Sequence, residues 1–347
     1  MTTPHHIAIV GAGMAGIACA RTLVQAGHHV TLFEKSASVG GRMASRQTPF
    51  GSFDFGAQYF TARDARFIRA LQTALSVCKP WSANTVRVLD AQGRVTESDL
   101  PAQEAHWVPA PTMDALPKHW AAPLVSSGNV EFETHVTRIE RDAVHPKKWQ
   151  LRTSGAQDGQ HVFSGFDAVL LAITSGQCLR LLETSELLPT FQKTVAQAKV
   201  SPCWTLMLAF PQAAQPTLSS LGPQWNAARS THHRIAWLAR ESSKPQRLSV
   251  ERWTVQASVA WSHEHFEDDA PRVQAKLLKA FTEVTGIRAE PSHAEVKLWR
   301  SAQTTQPVGK THLWDAKAGV GVCGDYLTGY RVEDAFVSGL ELALAVA

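Results

Sequence analysis

Three glycines spaced as Gly11-x-Gly13-x-x-Gly16 offer no side-chain chemistry; what they offer is backbone access. In that spacing Gly11 permits a tight turn, Gly13 lets the main chain approach a pyrophosphate, and Gly16 lets a helix pack closely on a strand. The helix that follows begins at Met14 and Ala15, so its unpaired N–H groups and positive dipole end face the same spot, which suits an anion. Glu34, followed by Lys35, lies where a carboxylate accepts hydrogen bonds from the hydroxyls of an adenosine ribose. A carboxylate there repels a 2′-phosphate, so the pattern favours FAD or NAD over NADP.

The elements that must position these residues are legible around them. His6–Val10 reads as a short buried strand, Ile17–Ala26 as a helix ended by Gly27, and His29–Phe33 as a second strand closing on Glu34. What comes next separates FAD from NAD. An NAD dehydrogenase normally continues into another βα unit, whereas here a Gly40-Gly41-Arg42 turn can lie along the pyrophosphate with Arg42 as a charge-assisted donor. The run Phe53–Phe60 then carries Gly56-Ala57, where the backbone can approach an isoalloxazine ring, followed by Gln58-Tyr59. Near the other end, Gly319–Gly324 is formally a second GxGxxG. Too few residues follow for a βαβ unit with its own acid, so it reads as a core strand ending in Gly324-Asp325. Asp325 can then accept from a ribityl hydroxyl or lie near the phosphates. A last helix, Val332–Ala345, aims its amino terminus at whatever lies beyond the loop, a spot that suits the anionic N1–C2=O edge of a reduced flavin.

Other chemistries lack their residues. No Ser-His-Asp set, paired catalytic carboxylates or metal-ligand spacing emerges. His263-Glu264-His265 lacks the HExxH spacing and reads as a solvated loop, so no metal is expected. Cys19, Cys78, Cys178, Cys203 and Cys323 are scattered without a CxxC pair, a reduced, cytoplasmic pattern that also points to non-covalent FAD. A net charge of +4 is too small to argue for nucleic acid or an anionic membrane. Ile7–Ala20 mimics a signal sequence at Ala18-Cys19-Ala20, but no Lys or Arg precedes it, and no apolar run is long enough to span a bilayer.

Together, Gly11-x-Gly13-x-x-Gly16, Gly40-Gly41-Arg42-Met43, Gly56-Ala57-Gln58-Tyr59, Trp299-Arg300-x-x-Gln303 and Gly324-Asp325 resemble the two-dinucleotide-binding-domain flavoproteins. Within that group the resemblance is to the renalase-like branch of the flavin amine oxidases. It covers residues 5–65 and 295–345 and is looser between. It implies an α/β fold: a discontinuous Rossmann-like FAD-binding domain of the p-hydroxybenzoate hydroxylase and amine oxidase type, with an inserted α+β substrate domain. It further implies FAD contacts from Ala15, Glu34, Arg42, Ala57, Gln58 and Asp325, with the backbone of Val136 at the adenine. Where many relatives open the last helix with Glu-Gly-Ala, this chain has Glu333-Asp334-Ala335, placing an extra carboxylate near the phosphate side.

The expected FAD-binding domain comprises residues 1–75, 120–176 and 297–347, and the substrate domain residues 76–119 and 177–296. Val130–Ile139 and Trp149–Thr153 alternate as hairpin strands with a polar tip at Ser154–Gln160, and Phe166–Ile173 reads as a buried strand. Thr205–Phe210, Ile235–Ala239 and Trp253–Ser258 are strands of the second domain, and Pro271–Val284 is an amphipathic helix. The cofactor carries the reaction, so no catalytic side chain is expected. Hydride passes from a small-molecule substrate to flavin N5, and the resemblance implies molecular oxygen as the electron acceptor. Candidate substrate-facing residues are Tyr59, Arg63, Trp237, Trp299 and Gln303; Arg300 points to the opposite face of the strand from Trp299. The resemblance implies oxidation of 2- or 6-dihydro-NAD(P) isomers with peroxide as co-product. The alternatives are a flavin amine oxidase or dehydrogenase, and a flavin- or nucleotide-bound sensor without turnover.

Overall fold

Ile7, Ala8, Ile9 and Val10 are all buried, without alternation, which marks a strand covered on both faces. The computed structural model describes residues 4–81, 86–98, 104–155, 159–214, 223 and 225–347. It sets His6–Val10 inside a six-stranded sheet. The order is Leu313–Asp315, Val320–Val322, Ala168–Leu171, His6–Val10, His29–Phe33, Val130–Glu131, all parallel except the first. Ile7 and Ile9 face a core shared with the helices Met14–Gln25, Ala115–Ser126 and Val332–Val346. Ala8 and Val10 face the other side, where a three-stranded antiparallel sheet (Thr134–Arg141, Trp149–Gly155, Gln160–Phe166) and the helices Ser175–Thr184 and Pro189–Val195 pack. The period-two alternation of side chains divides the two cores. The parallel strands end together at Val10, Phe33, Leu171 and Val322, the edge at which open α/β sheets bind ligands.

A second, seven-stranded sheet has the order His293–Gln306, Lys199–Phe210, Glu251–Ala257, Ile235–Arg240, Ala227–Ser230, Val86–Leu89, Val95–Ser98. The helix Ala270–Thr285 covers one face, burying Val273, Leu277 and Phe281 against Leu206, Leu208 and Trp253. The opposite face meets the first unit: Met207 and Ala209 pack on Phe53, and Trp237 and Ala239 join the core that includes Tyr59.

Several expected boundaries move. The run Val130–Ile139 is broken at Glu133, whose φ is 52°. Val130–Glu131 therefore joins the parallel sheet beside Leu32, and only Thr134 onward pairs with Trp149–Gly155. Phe166–Ile173 is likewise split, Phe166 ending a third antiparallel strand. Residues 177–195 pack with the parallel sheet through Leu181, Leu182 and Val195. The strand His293–Gln306 runs through the boundary expected at 297 as one continuous element. His263 and Glu264 end a short helix, Val259–Glu264, rather than lying in a loop. The expected tip at Ser154–Gln160 lies partly outside the described residues.

Gly339 sits where the last helix crosses the first. A Cβ built there collides with the carbonyl oxygen of Ala15. Gly339→Val should cost about 1–3 kcal/mol through overpacking, read as a lowered thermal midpoint. Gly176→Ala, whose Cβ meets nothing within 4 Å, should leave the midpoint unchanged or slightly raised.

Candidate active site

The three glycines of the first turn have different jobs. Gly11 has a φ of 102°, and a Cβ there would lie 2.6 Å from the carbonyl oxygen of Ala172; a Cβ on Gly16 would collide with the Gly11 carbonyl. Both positions are fixed by packing. Gly13 is the N-cap of the 12-residue helix Met14–Gln25, with no side-chain cap and nothing within 4 Å of a built Cβ. Open space thus lies in front of first-turn N–H groups that a helix cannot satisfy internally. The second turn closes over the first: Gly40 N–H donates to Ala12 O (2.9 Å), and a Cβ on Gly41 would stand 3.3 Å from Gly13 Cα.

Glu34 is buried and held from two sides. Its Oε2 accepts from Ala12 N–H and its Oε1 from Ser36 N–H, both at 2.9 Å, while Lys35 beside it is exposed. Thr134 N–H donates to the Glu34 carbonyl (2.9 Å), which brings the next strand alongside. Two residues on, Val136 is buried beside a bulge between Val136 and Arg138, where the ladder loses its regular pairing.

Arg42 is bound within the protein. Its Nη1 donates to Asp325 Oδ2 (2.9 Å) and to Ala302 O (3.2 Å), and its Nη2 to Asp325 Oδ1 (2.5 Å). The guanidinium expected along the pyrophosphate is thus a bidentate partner of Asp325. Gly324 N–H donates to Ser338 Oγ (2.9 Å), tying this strand end to the last helix. The extra carboxylate is also accounted for. Asp334 accepts from the N–H groups of Tyr330 (2.9 Å) and Arg331 (2.8 Å), and Glu333 from those of Asp64 (2.8 Å) and Arg63. One oxygen of each is thus held by backbone donors. The last helix starts at Val332.

The turn at residues 54–58 is clamped from all sides. Ala57 N–H donates to Arg42 O (2.9 Å), and a Cβ on Gly56 would collide with that same carbonyl. Trp299 stacks on Phe55 at 5.0 Å and donates from Nε1 to its carbonyl (2.9 Å), while Gln256 Nε2 donates to Gly56 O (2.8 Å). Beneath the turn lies a buried charge cluster. Lys244 Nζ donates to Asp54 Oδ2 (3.0 Å), Glu241 Oε1 (2.9 Å) and Gln58 Oε1 (3.3 Å), and Arg247 Nη2 to Asp54 Oδ2 (2.7 Å). Burial alone would raise the Asp54 carboxyl. The charges of Lys244 and Arg247 and bonds from Ser45 and Arg247 override it and hold the group well below the usual carboxylate range. The Gln58 carboxamide, expected at the flavin, turns into this cluster and donates to Asp54 O and Gly56 O. Sequence reasoning missed Glu241, Lys244 and Arg247, because no periodicity or spacing ties 241–247 to Asp54.

Of the expected substrate residues, Tyr59 and Trp237 come together, their rings 5.6 Å apart. His106 at 4.3 Å and Trp81 at 6.3 Å from Tyr59 complete an aromatic group that sequence reasoning did not assemble. Trp237 Nε1 is buried without an acceptor. Burial lowers the His106 pKa, and the nearby Arg229 lowers it further. Arg63 is exposed and pairs with Glu104 (2.5 Å), a carboxylate that also feels Arg331 and His106. Trp299 belongs to the 54–58 clamp, Gln303 is exposed on the strand His293–Gln306, and Arg300 lies over Phe266 on another surface. Among the described residues no group of side chains could hold a metal ion, and no helix is long and apolar enough to cross a membrane.

A parallel sheet with a glycine cradle at its carboxyl edge, an acid at the end of its second strand and a second sheet over the site define a dinucleotide-binding fold. The chain belongs to the flavin-containing amine oxidoreductase family, whose model matches residues 102–347, and an NAD(P)-binding Rossmann-like model matches residues 9–73. Its architecture is of the amine-oxidase type. Cyclohexylamine oxidase from Brevibacterium oxydans IH-35A has the same fold, at a TM-score of 0.72 and 14% identity over 99% of both chains. Putrescine oxidase bound to putrescine is similar at 0.69 and 12% identity, over 100% of this chain and 99% of that one. An L-amino-acid oxidase of Notechis scutatus scutatus is 55% identical over 42 residues, which is 12% of this chain and 8% of that protein. FMO GS-OX-like 10 of Arabidopsis thaliana is 28% identical over 163 residues, 45% of this chain. The chain spans about a third or less of the length of the curated relatives it matches (34% of that protein, 10% of a diapophytoene desaturase of Staphylococcus haemolyticus).

Removing the cluster's central cation tests its weight. Lys244→Met leaves Asp54 and Glu241 short of a buried partner and should cost about 3–5 kcal/mol in urea unfolding. Lys244→Met with Glu241→Gln should recover part of that loss.

Proposed function

We propose that the chain holds FAD non-covalently along the sheet's carboxyl edge and oxidises a dihydronicotinamide dinucleotide reduced at the 2- or 6-position, as renalase-like flavoproteins do. The pyrophosphate would lie before Gly11, Gly13, Met14, Ala15 and Gly16, with Gly41 and Arg42 alongside. Glu34 and Lys35 would flank the adenosine ribose, and Val136 the adenine. Gly56, Ala57, the backbone of Gln58, Gly324, Asp325 and Val332 would surround the ribityl chain and the ring. The fit rests on Gly13, whose missing Cβ opens the only side of the turn not already filled by protein among Gly11, Gly13 and Gly16. Glu34 supports it too, since two N–H groups fix its orientation and leave acceptor capacity for hydroxyls. The flavin, when bound, supplies hydride acceptance and reoxidation by molecular oxygen to peroxide.

The observation that carries the substrate reading is the company of Tyr59. A protonated amine is repelled by fixed cations, whereas a dinucleotide needs them for its phosphates and a flat slot for its ring. Tyr59, His106 and Trp237 supply flat surfaces, and Arg63, Arg229 and Arg331 stand within electrostatic reach of Glu104 and His106. Tyr59 stays the first substrate-facing residue, with Trp237 beside it. The 54–58 clamp gives Trp299 a positioning role, and the paired, exposed Arg63 belongs to the rim. Amine oxidation is the second reading, supported by the family and by the amine oxidases that share the fold.

Anaerobic mixing of the flavin-loaded protein with candidate donors separates the two. Dihydro-NAD(P) isomers should bleach the flavin rapidly, and ordinary NADH and simple amines slowly, with one peroxide formed per substrate in air. Faster bleaching by monoamines or polyamines than by the isomers would overturn the dihydronicotinamide reading.

A further inference from the structure

Glu241 has no part in the chemistry above, yet it is among the most enclosed carboxyl groups in the chain, with no exposed surface. It opens the short turn Glu241–Ser243. Its Oε1 accepts from Lys244 Nζ (2.9 Å) and from Thr254 Oγ1 (2.7 Å), while Oε2 has no hydrogen-bond partner. Buried ionised carboxylates are ordinarily satisfied on both oxygens, because a bare charged oxygen in a dry interior is costly. The charged groups facing it are Lys244 on its own turn, Asp54 and Arg247 across the cluster, and Arg252 on the adjoining strand Glu251–Ala257. Burial pushes the Glu241 carboxyl up most; Lys244 pulls it down, and Asp54 pushes it up again. How readily it takes a proton is thus set by the charges around it.

A continuous hydrogen-bonded line leads from this carboxyl to the 54–58 turn. Lys244 Nζ bridges Glu241 Oε1 and Gln58 Oε1 (3.3 Å), and Gln58 Nε2 donates to the Gly56 carbonyl (3.3 Å). We propose that Glu241 is a proton-holding group whose protonation is coupled to the oxidation state of the flavin. The inference rests on the reading that Gly56 and Ala57 face that cofactor. The balance closes. Hydride transfer brings two electrons and one proton to the flavin and leaves it one unit more negative, and Glu241 takes up one proton from solvent to offset that charge. On reoxidation the hydride's electrons and proton, with the proton from Glu241, convert molecular oxygen to hydrogen peroxide and restore the carboxylate.

The test is a reduced-minus-oxidised infrared difference spectrum of the flavin-loaded protein, with dithionite as reductant so that no substrate need be known. Wild type should gain a protonated-carboxyl C=O band on reduction that shifts down in D₂O. Glu241→Gln, which keeps an acceptor for Lys244 and Thr254, should lack the band and take up fewer protons per two electrons. Flavin-loaded wild type without the band, or the same band in Glu241→Gln, overturns the coupling. A variant that fails to fold leaves the wild-type spectrum to decide. Wild type that binds no flavin overturns the underlying reading instead, so the two failures are distinct.

Discussion

Arg42 is the residue at which the separate parts of this protein meet. Its guanidinium grips both oxygens of Asp325 and the carbonyl of Ala302, and its own carbonyl receives Ala57 N–H. The preceding residue, Gly41, stands against Gly13. One side chain and one peptide thus join the first glycine turn, the 54–58 turn, the long strand of the second sheet and the strand end at Gly324-Asp325. A bidentate Arg–carboxylate pair fixes both distance and plane, which a single hydrogen bond does not. Asp325 is nearly fully buried, so the pair is little screened by solvent. Segments some 280 residues apart in the chain are held in one plane at the edge where strands of an open sheet leave room for a ligand.

The second constraint is the burial of charge beneath the 54–58 turn. Asp54 follows the strand Gly51–Phe53, and Glu241, Lys244 and Arg247 lie in the connection between two strands of the second sheet; the cluster adds to apolar contacts such as Phe53 on Met207 and to the hydrogen bonds from Gln256 and Trp299. An apolar interface can slide with little penalty. Buried ions cannot, because each displacement strands a charge in a medium that solvates it poorly. With those hydrogen bonds, the cluster holds the registry of the second sheet over the first, and with it the placement of Tyr59 against Trp237 and His106.

How far the sequence could be read follows from where the physics is local. The first unit was legible because each of its signals lies within one turn, strand or helix. Gly11, Gly13 and Gly16 act through their own backbone, Glu34 ends its own strand, and Gly27 ends its own helix. Gly324-Asp325 was legible as a strand end for the same reason. The role of Arg42 was only half legible: its partner Asp325 was named, but as a separate ligand of the same cofactor. Lys244 and Glu241 left no mark, since their partner Asp54 is remote in the chain and nothing periodic links them. Gln58 was read as facing the cofactor from its place in a motif, whereas its amide follows the buried charges. The break at Glu133 was hidden because an alternating apolar pattern continues through it on both sides.

The central claim is that the glycine cradle, the Glu34 carboxylate and the bulged strand at Val136 together accommodate a whole dinucleotide, FAD, held without a covalent bond. All five cysteines are free, and four of them, Cys323 included, are buried, which leaves no obvious thiol for attachment. The most direct measurement is to precipitate the purified protein with acid and identify the released chromophore by mass. The account predicts a colourless pellet and intact FAD in the supernatant, one per chain. Flavin retained in the pellet, or FMN in place of FAD, would contradict it.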